Sequence, residues 1–173
     1  IALSNTHILE TQFGWNGILA EPARCWHEDL YKNRNCHIET NCVWTKTGDT
    51  LKFNEVSDPE LSTINSFTKA DFLADFRKSE QHYDVQTISL LDLLSKYNAP
   101  RIIDYLSIDT EGSEYEILNN FDFNAYQFRV ITCEHNYTKD RNKIFELLSP
   151  YGYTRKYTGF SRCDDWYINE DLV

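Results

Sequence analysis

The chain has 173 residues, of which 41% are hydrophobic and 25% are charged, as is ordinary for one soluble globular domain. Its 17 basic and 27 acidic residues give a formal net charge of −10. This acidity argues against nucleic-acid binding, which depends on lysine and arginine neutralising phosphates. No apolar run approaches the ~20 residues that span a bilayer, and nothing resembles a secretion signal. We therefore expect a single domain over residues 1–173, without a membrane span.

The cysteine pattern points to a reducing compartment. The count is odd and no two cysteines have C-x-x-C spacing. A structural zinc site is not expected, because no Cys/His cluster has the required spacing. We expect reduced, mostly buried cysteines in a cytoplasmic protein. The five are Cys25, Cys36, Cys42, Cys133 and Cys163.

Short apolar strands alternate with amphipathic helices along the chain, which predicts an α/β fold with a mostly parallel sheet. The first predicted elements are a helix over residues 3–12, a buried strand over 17–21 and a helix that begins at Pro22. A strand over 37–44, a turn at 47–50 and a returning strand over 51–53 read as a hairpin. Residues 54–84 are polar and lack clear periodicity, so we expect an insertion or lid there.

The signals are sharper in the second half of the chain. Ser89 and Asp92 form a capping box for a helix that Pro100 stops. A fully buried strand over 102–109 leads into a helix that begins at Ser113. A strand over 128–134 and a helix through 144–148 follow. Residues 152–158 and 165–168 are expected to close the fold as an antiparallel pair.

Polar residues end three of these strands, and ligands of open parallel sheets bind beyond the carboxyl ends of the strands. Glu21 ends the second element and could accept both hydroxyls of a ribose. Its alternative role is an acid that favours a helix N-terminus. Asp109 could orient a hydroxyl, bind a metal or act as a base, or it could belong to a capped turn. Glu134 and His135 end the next strand, where His135 could take a proton from an alcohol or serve only the structure.

Several motifs in this order resemble the FkbM family of methyltransferases, over nearly the whole chain. The most specific is the strand that ends in Asp-Thr-Glu-Gly-Ser-Glu at residues 109–114. The others are Ser-Asn-Thr at 4–6, Gly-Trp-Asn-Gly-Ile-Leu-Ala-Glu-Pro at 14–22, Val-Gln-Thr-Ile-Ser-Leu at 85–90 with Asp-Leu-Leu at 92–94, and Glu-His-Asn at 134–136. Each motif alone is weak evidence, but together they are strong.

The resemblance implies a Rossmann-like class I methyltransferase fold with seven strands, the last antiparallel. It also implies methyl transfer from S-adenosylmethionine, usually to a hydroxyl oxygen of a sugar or small natural product. Carried over to this sequence, Glu21 with Pro22 would hold the ribose and Asn41 would approach the adenine. Asp109, Glu111 and Gly112 would face the sulfonium or the acceptor.

The resemblance makes His135 a plausible catalytic base, with Asp109 and Glu134 beside it. A divalent metal held by Asp109 and Glu134 could replace that base by coordinating the acceptor hydroxyls. The family's glycine-rich cofactor loop, Asp-x-Gly-Ala-Asn-x-Gly, and the central strand before it have no counterpart in the sequence. We expect both to lie upstream of Ile1, since the chain does not begin with methionine. The alternative is a degenerate domain, and without the loop this chain alone could be inactive.

Two rival functions remain at this point. The first is an inactive binding or scaffold domain that keeps the methyltransferase fold. The second is a metal-dependent hydrolase that uses Asp109, Glu111, Glu134 and His135.

Overall fold

The computed structural model describes residues 4–77 and 79–173. Within these ranges the chain forms five α-helices and ten β-strands. The helices are α1 (His7–Phe13), α2 (His27–Asn33), α3 (Leu90–Lys96), α4 (Glu114–Asn119) and α5 (Asp140–Leu148). The strands are β1 (Ile18–Ala20), β2 (His37–Glu39), β3 (Cys42–Trp44), β4 (Thr50–Val56), β5 (Thr63–Ile64), β6 (Ser79–Ser89), β7 (Ile102–Ile108), β8 (Gln127–Glu134), β9 (Tyr153–Lys156) and β10 (Asp164–Asn169).

The described strands form three sheets. The first pairs β1 with β2, the second has the order β7-β8-β10-β9, and the third has the order β3-β6-β4-β5. The pairs β1–β2, β3–β6 and β7–β8 are parallel, whereas β10 is antiparallel to both β8 and β9. The predicted α/β class is confirmed, as is the antiparallel closing pair. The single Rossmann-like sheet is not seen among the described residues.

Two strand edges face an open space instead of a partner strand. Within the described residues β1 pairs only with β2, and β7 pairs only with β8. β7 was predicted to be fully buried, but only Ile108 among its residues is buried, while Ile102 and Asp104 are exposed. The prediction was wrong because β7 is an edge strand in this structure, so water reaches side chains that a second neighbour would cover.

The region from 37 to 56 differs from the predicted hairpin. The expected strand over 37–44 is two strands, β2 and β3, which belong to different sheets. β4 pairs with β6 and β5, and β6 lies between β3 and β4. Residues 54–84, predicted to be irregular, therefore contribute the end of β4, all of β5 and the start of β6. The long strand β6 was missed because the sequence at 79–84 is polar and carries no apolar alternation.

Of the five α-helices in the described residues, only α3 begins with a side-chain cap. Ser89 caps α3 as predicted, since its hydroxyl accepts the Asp92 N–H at 3.1 Å. α1 begins at His7, later than predicted, and residue 3 lies outside the described residues. α2 begins at His27 instead of Pro22, after the 3-10 turn Arg24–Trp26.

Two hydrophobic cores hold these layers together. The larger packs β7, β8 and β10 against α3, α4 and α5, through residues such as Ile117, Ile131 and Leu148. The smaller one joins β3, β4 and β6 through Cys42, Phe53 and Val85. No described helix combines the length and the apolar character that crossing a membrane requires.

The cysteines are all free, as predicted. Only two of them are buried, Cys42 and Cys133, and Cys25 is exposed. The expectation of mostly buried cysteines was therefore wrong, because Cys25 lies in the 3-10 turn before α2, on the surface.

Candidate functional site

The unpaired edges of β1 and β7 line one groove with a volume of about 1090 Å³. Residues from the start of α1 close one end, where the Asn5 side-chain amide donates to the Ser107 hydroxyl at 3.0 Å. The carboxyl ends of β1, β7 and β8 open into the same groove. Residues 59–77 form what we call the wall, and residues 59–62, 64, 72 and 73 of it line the groove. The volume is slightly above the ~300–1,000 Å³ typical of ligand pockets.

Three carboxylates converge in this groove, and we call them the carboxylate trio: Asp109, Glu111 and Glu134. One oxygen from each lies within 4.8 Å of the others. The register explains part of this convergence, because Ile108 pairs with Cys133 in the parallel β7–β8 ladder and the next residue of each strand is acidic. Glu111 reaches the same place through a left-handed backbone conformation, with φ of 58°.

The acidic side chains of the trio differ in how strongly their surroundings favour the protonated form. Asp109 is open to the groove, but protein atoms surround it on the other sides, and this desolvation raises its pKa. Burial also raises the pKa of Glu134, as do the negative charges of Asp109 and Glu111. The two side chains hydrogen-bond, and the crowding of negative charge around Glu134 favours one shared proton in this pair.

Glu111 has a cation beside it. Burial raises its pKa to about 7, against the opposing effect of the hydrogen bond from Arg77. The Arg77 Nη2 lies 2.5 Å from the Glu111 Oε2. The backbone carbonyl of Glu111 accepts the Thr63 hydroxyl at 3.0 Å. Glu111 is thus fixed from two sides by residues of the wall.

Glu114 organises the turn that carries the trio. Its Oε1 accepts the Thr110 N–H at 2.7 Å, the Thr110 hydroxyl at 2.9 Å and the Gly112 N–H at 3.2 Å. Gly112 has φ of 118°, and a Cβ there would lie 3.3 Å from Phe67 and Ala70. Glycine is therefore required both for the backbone conformation and for the close approach of the wall.

Glu21 lies in the groove at the end of β1, next to Pro22. Its Oε1 accepts the Ala23 N–H at 2.7 Å. Burial raises the pKa of Glu21 to about 7, and the charges of Asp109 and Glu55 add to that effect. The three acidic strand ends identified from the sequence, Glu21, Asp109 and Glu134, therefore meet in a single groove.

Three other predicted site residues stand away from the groove lining. Asn41 donates its backbone N–H to the Glu39 carboxylate at 3.0 Å, and the neighbouring Cys42 and Val43 line the groove instead. Gly112 and His135 line a second, smaller cavity of about 100 Å³, which also borders Glu134.

The position of His135 does not suit a base that serves the groove. Its Nδ1 accepts the Tyr137 N–H at 3.0 Å, so the neutral ring carries its hydrogen on Nε2. That Nε2 lies 3.7 Å from the Asp165 carboxylate, and burial lowers the pKa of the ring. The sequence placed His135 correctly after β8, but side chains alternate along a strand, and of the two only Glu134 also lines the groove.

The structure adds residues that the sequence did not single out. Arg77 and Asp71 contact each other and reach the trio, from a segment without periodicity. Nothing in the sequence indicated this ion pair, because the partners meet only through tertiary folding.

The family profile described as "Methyltransferase FkbM domain" matches residues 2–162. The chain belongs to the FkbM methyltransferase family. This confirms the resemblance, and the match to this FkbM domain includes Glu21 and all of the carboxylate trio. No curated protein and no solved structure matches the chain.

Proposed function

We propose that this FkbM domain transfers a methyl group from S-adenosylmethionine to a hydroxyl oxygen of a sugar or a small natural product. The observation that carries the proposal is the meeting of Glu21 and the carboxylate trio in one groove at the carboxyl ends of β1, β7 and β8. Membership of a methyltransferase family supports methyl transfer as the reaction class.

The cofactor's nucleoside would bind at the Glu21 end of the groove. Glu21 uses one oxygen for the Ala23 N–H, and its other oxygen is free to accept ribose hydroxyls. Apolar side chains nearby, including Trp26 and Phe53, offer surfaces for a flat base. The donor set therefore fits a nucleoside, and the bound cofactor would supply a methyl group activated by a sulfonium.

The acceptor would bind at the trio. Asp109 would accept the hydroxyl proton of the acceptor, while the bound cofactor would supply the methyl group. The proton that Glu134 shares with Asp109 limits repulsion between the two side chains. Most of the rate gain would come from holding the hydroxyl in line with the methyl carbon.

A divalent cation is the second way to activate the acceptor. Magnesium and calcium bind carboxylate oxygens at about 2.0–2.6 Å, so three oxygens within 4.8 Å of one another can all reach one ion. The same trio would suit a metal-dependent hydrolase. It contains three of the four residues expected for that rival function, and His135 is the one that it lacks.

Calorimetry with S-adenosylmethionine and S-adenosylhomocysteine, on a chain that includes the family's glycine-rich cofactor loop, tests the proposal. We expect both to bind, and Glu21→Gln to weaken binding about tenfold, the loss expected for one charge-assisted hydrogen-bond pair. Glu28→Gln makes the same change on the exposed first turn of α2 and should bind like wild type. Absence of binding heat for both ligands would favour a scaffold domain.

A methyl-transfer assay completes the test. Radiolabelled S-adenosylmethionine is offered with a panel of saccharides and small polyhydroxy compounds. We expect label in an O-methyl product and its loss in Asp109→Asn. Turnover of phosphate or ester substrates that ignores S-adenosylmethionine would instead support the hydrolase.

A further inference from the structure

Arg77 has a fully buried guanidinium in the wall of the groove, with no exposed side-chain surface. It makes a two-pronged contact with Asp71, at 2.8 Å from Nη1 and 2.9 Å from Nη2. Nη2 also contacts Glu111 at 2.5 Å, and Nε donates to the Leu61 carbonyl at 3.1 Å. Four donor contacts leave this side chain little freedom to move.

The charges make Arg77 hard to replace. The Asp71 and Glu111 side chains are only 1% and 10% exposed. A buried charge without a partner is costly, and among the described residues Arg77 is the cation that pairs with both carboxylates. Lysine would keep the charge but not the planar fork that holds two carboxylates at once.

These contacts join the wall to the trio. Residues 59–77 reach the Asp109–Gly112 turn through Arg77, through the Thr63 hydroxyl and through the packing of Phe67 against Gly112. Asn136, two residues after Glu134, donates to Asp71 at 3.2 Å. Arg77 therefore connects the ends of both β7 and β8 with the wall.

Glu111 needs such support. Its backbone φ of 58° is uncommon for a residue other than glycine, and conformations of this kind persist where the surroundings impose them. The Arg77 contact holds the side chain toward Asp109 and Glu134, while Thr63 holds the backbone carbonyl.

We propose that Arg77 is a positioning residue, which fixes Glu111 in the carboxylate trio and fastens the wall of residues 59–77 over the acceptor end of the groove. The role in acceptor binding rests on the proposed function. The role in positioning does not, and the two can be tested separately.

The positioning role is tested by hydrogen exchange measured by mass spectrometry on Arg77→Lys and Arg77→Met. We expect backbone exchange to accelerate about tenfold or more both in residues 59–77 and in residues 109–114. The exchange rate in the interior of β8 should stay unchanged. Arg129→Met removes an exposed contact with Asp104 and should leave both segments at the wild-type rate.

Two exchange results would overturn the proposal. One is acceleration in 59–77 while 109–114 keeps its wild-type rate, and the other is acceleration by the same factor throughout the protein, which a merely structural role would give. If Arg77→Met does not fold, Arg77→Lys carries the comparison, because it keeps the buried charge.

The acceptor role is tested by kinetics on Arg77→Lys. We expect the KM of the acceptor to rise about tenfold, while the affinity for S-adenosylhomocysteine, which binds at the Glu21 end, stays within about twofold. An unchanged acceptor KM contradicts the role. If wild type does not bind S-adenosylhomocysteine, the proposed function fails, and the exchange result still decides the positioning role.

Discussion

At the scale of single residues, the acidic groups of the groove differ in what offsets their charge. Glu21 has one backbone N–H, Glu111 has the Arg77 guanidinium, and Glu134 shares a proton with Asp109. Each compensation suits a different task. A carboxylate with a free oxygen can bind hydroxyls, one held by an arginine is fixed in place, and a proton-sharing pair can exchange protons with a bound acceptor.

The raised pKa of Glu21 predicts a pH-dependent loss of stability. Its pKa is about 7 in the folded protein, against 4.5 for an unperturbed glutamate. The folded state therefore binds more protons than the unfolded chain between these values, and this group's contribution falls as pH rises through that window. Glu21→Gln should remove up to about 3 kcal/mol of that fall.

Urea unfolding at pH 4.5 and pH 7.5 measures this effect. Between pH 4.5 and pH 7.5, the free energy of unfolding should fall less for Glu21→Gln than for wild type. Glu28→Gln should have the same free energy of unfolding as wild type at both pH values. Parallel pH dependence of wild type and Glu21→Gln would show that Glu21 titrates normally.

At the scale of elements, the wall of residues 59–77 supplies the apolar side of the acceptor end. Leu61, Ile64 and Phe72 line the same groove as the carboxylates. An acceptor that fits both sides would combine hydroxyl groups with an apolar face. Phe72 is 61% exposed, so it is available for contact with such a ligand at little cost to the fold.

Phe72 and Phe76 form a matched pair for testing the wall. Both are highly exposed, at 61% and 66%, but only Phe72 lines the groove. We expect Phe72→Ser to raise the acceptor KM several-fold, since an aromatic contact is worth on the order of 1 kcal/mol, and Phe76→Ser to leave it unchanged. The thermal midpoint should stay near wild type in both. Equal effects of the two variants would remove Phe72 from the acceptor site.

At the scale of the whole molecule, an acidic chain presents three of its carboxylates together in one groove. The net charge of −10 and the trio together favour cationic ligands. Desolvation raises the pKa of Asp109 and of Glu134, and the neighbouring negative charges raise the pKa of Glu134 further. An ion that bound there would relieve this crowding and stabilise the folded state by mass action.

Manganese or magnesium binding is therefore expected to stabilise the protein against heat. At 100 times its dissociation constant an ion adds about 2.7 kcal/mol, which would raise the melting temperature by several degrees. Asp109→Asn should lose this gain, whereas Glu60→Gln, which alters a groove acid outside the trio, should keep it. Equal gains in wild type and Asp109→Asn would place the ion elsewhere and favour direct proton transfer to Asp109.

The sequence predicted the parts of the site that depend on strand ends. Glu21, Asp109 and Glu134 follow apolar runs, and the parallel register of β7 and β8 brings the last two together. It predicted His135 less well, because a one-residue step along a strand changes the face. Arg77 could not be predicted, since its carboxylate partners lie 6 and 34 residues away and only the folded chain joins them.

The order of strands in the sheets was also beyond what local sequence patterns could predict. The prediction of an α/β fold used local periodicity, and β7, β8 and the closing pair carry it clearly. The polar start of β6 does not, so its insertion between β3 and β4 was missed and a hairpin was expected instead. Which strands are neighbours is set by contacts distant along the chain, and these leave no local pattern.

The side of β7 that faces the groove has no neighbouring strand within the described residues, and β1 likewise pairs only with β2 there. The backbone N–H and C=O groups along such an edge can accept an extended segment in register. A segment that paired with both edges would join the first and second sheets into one continuous sheet.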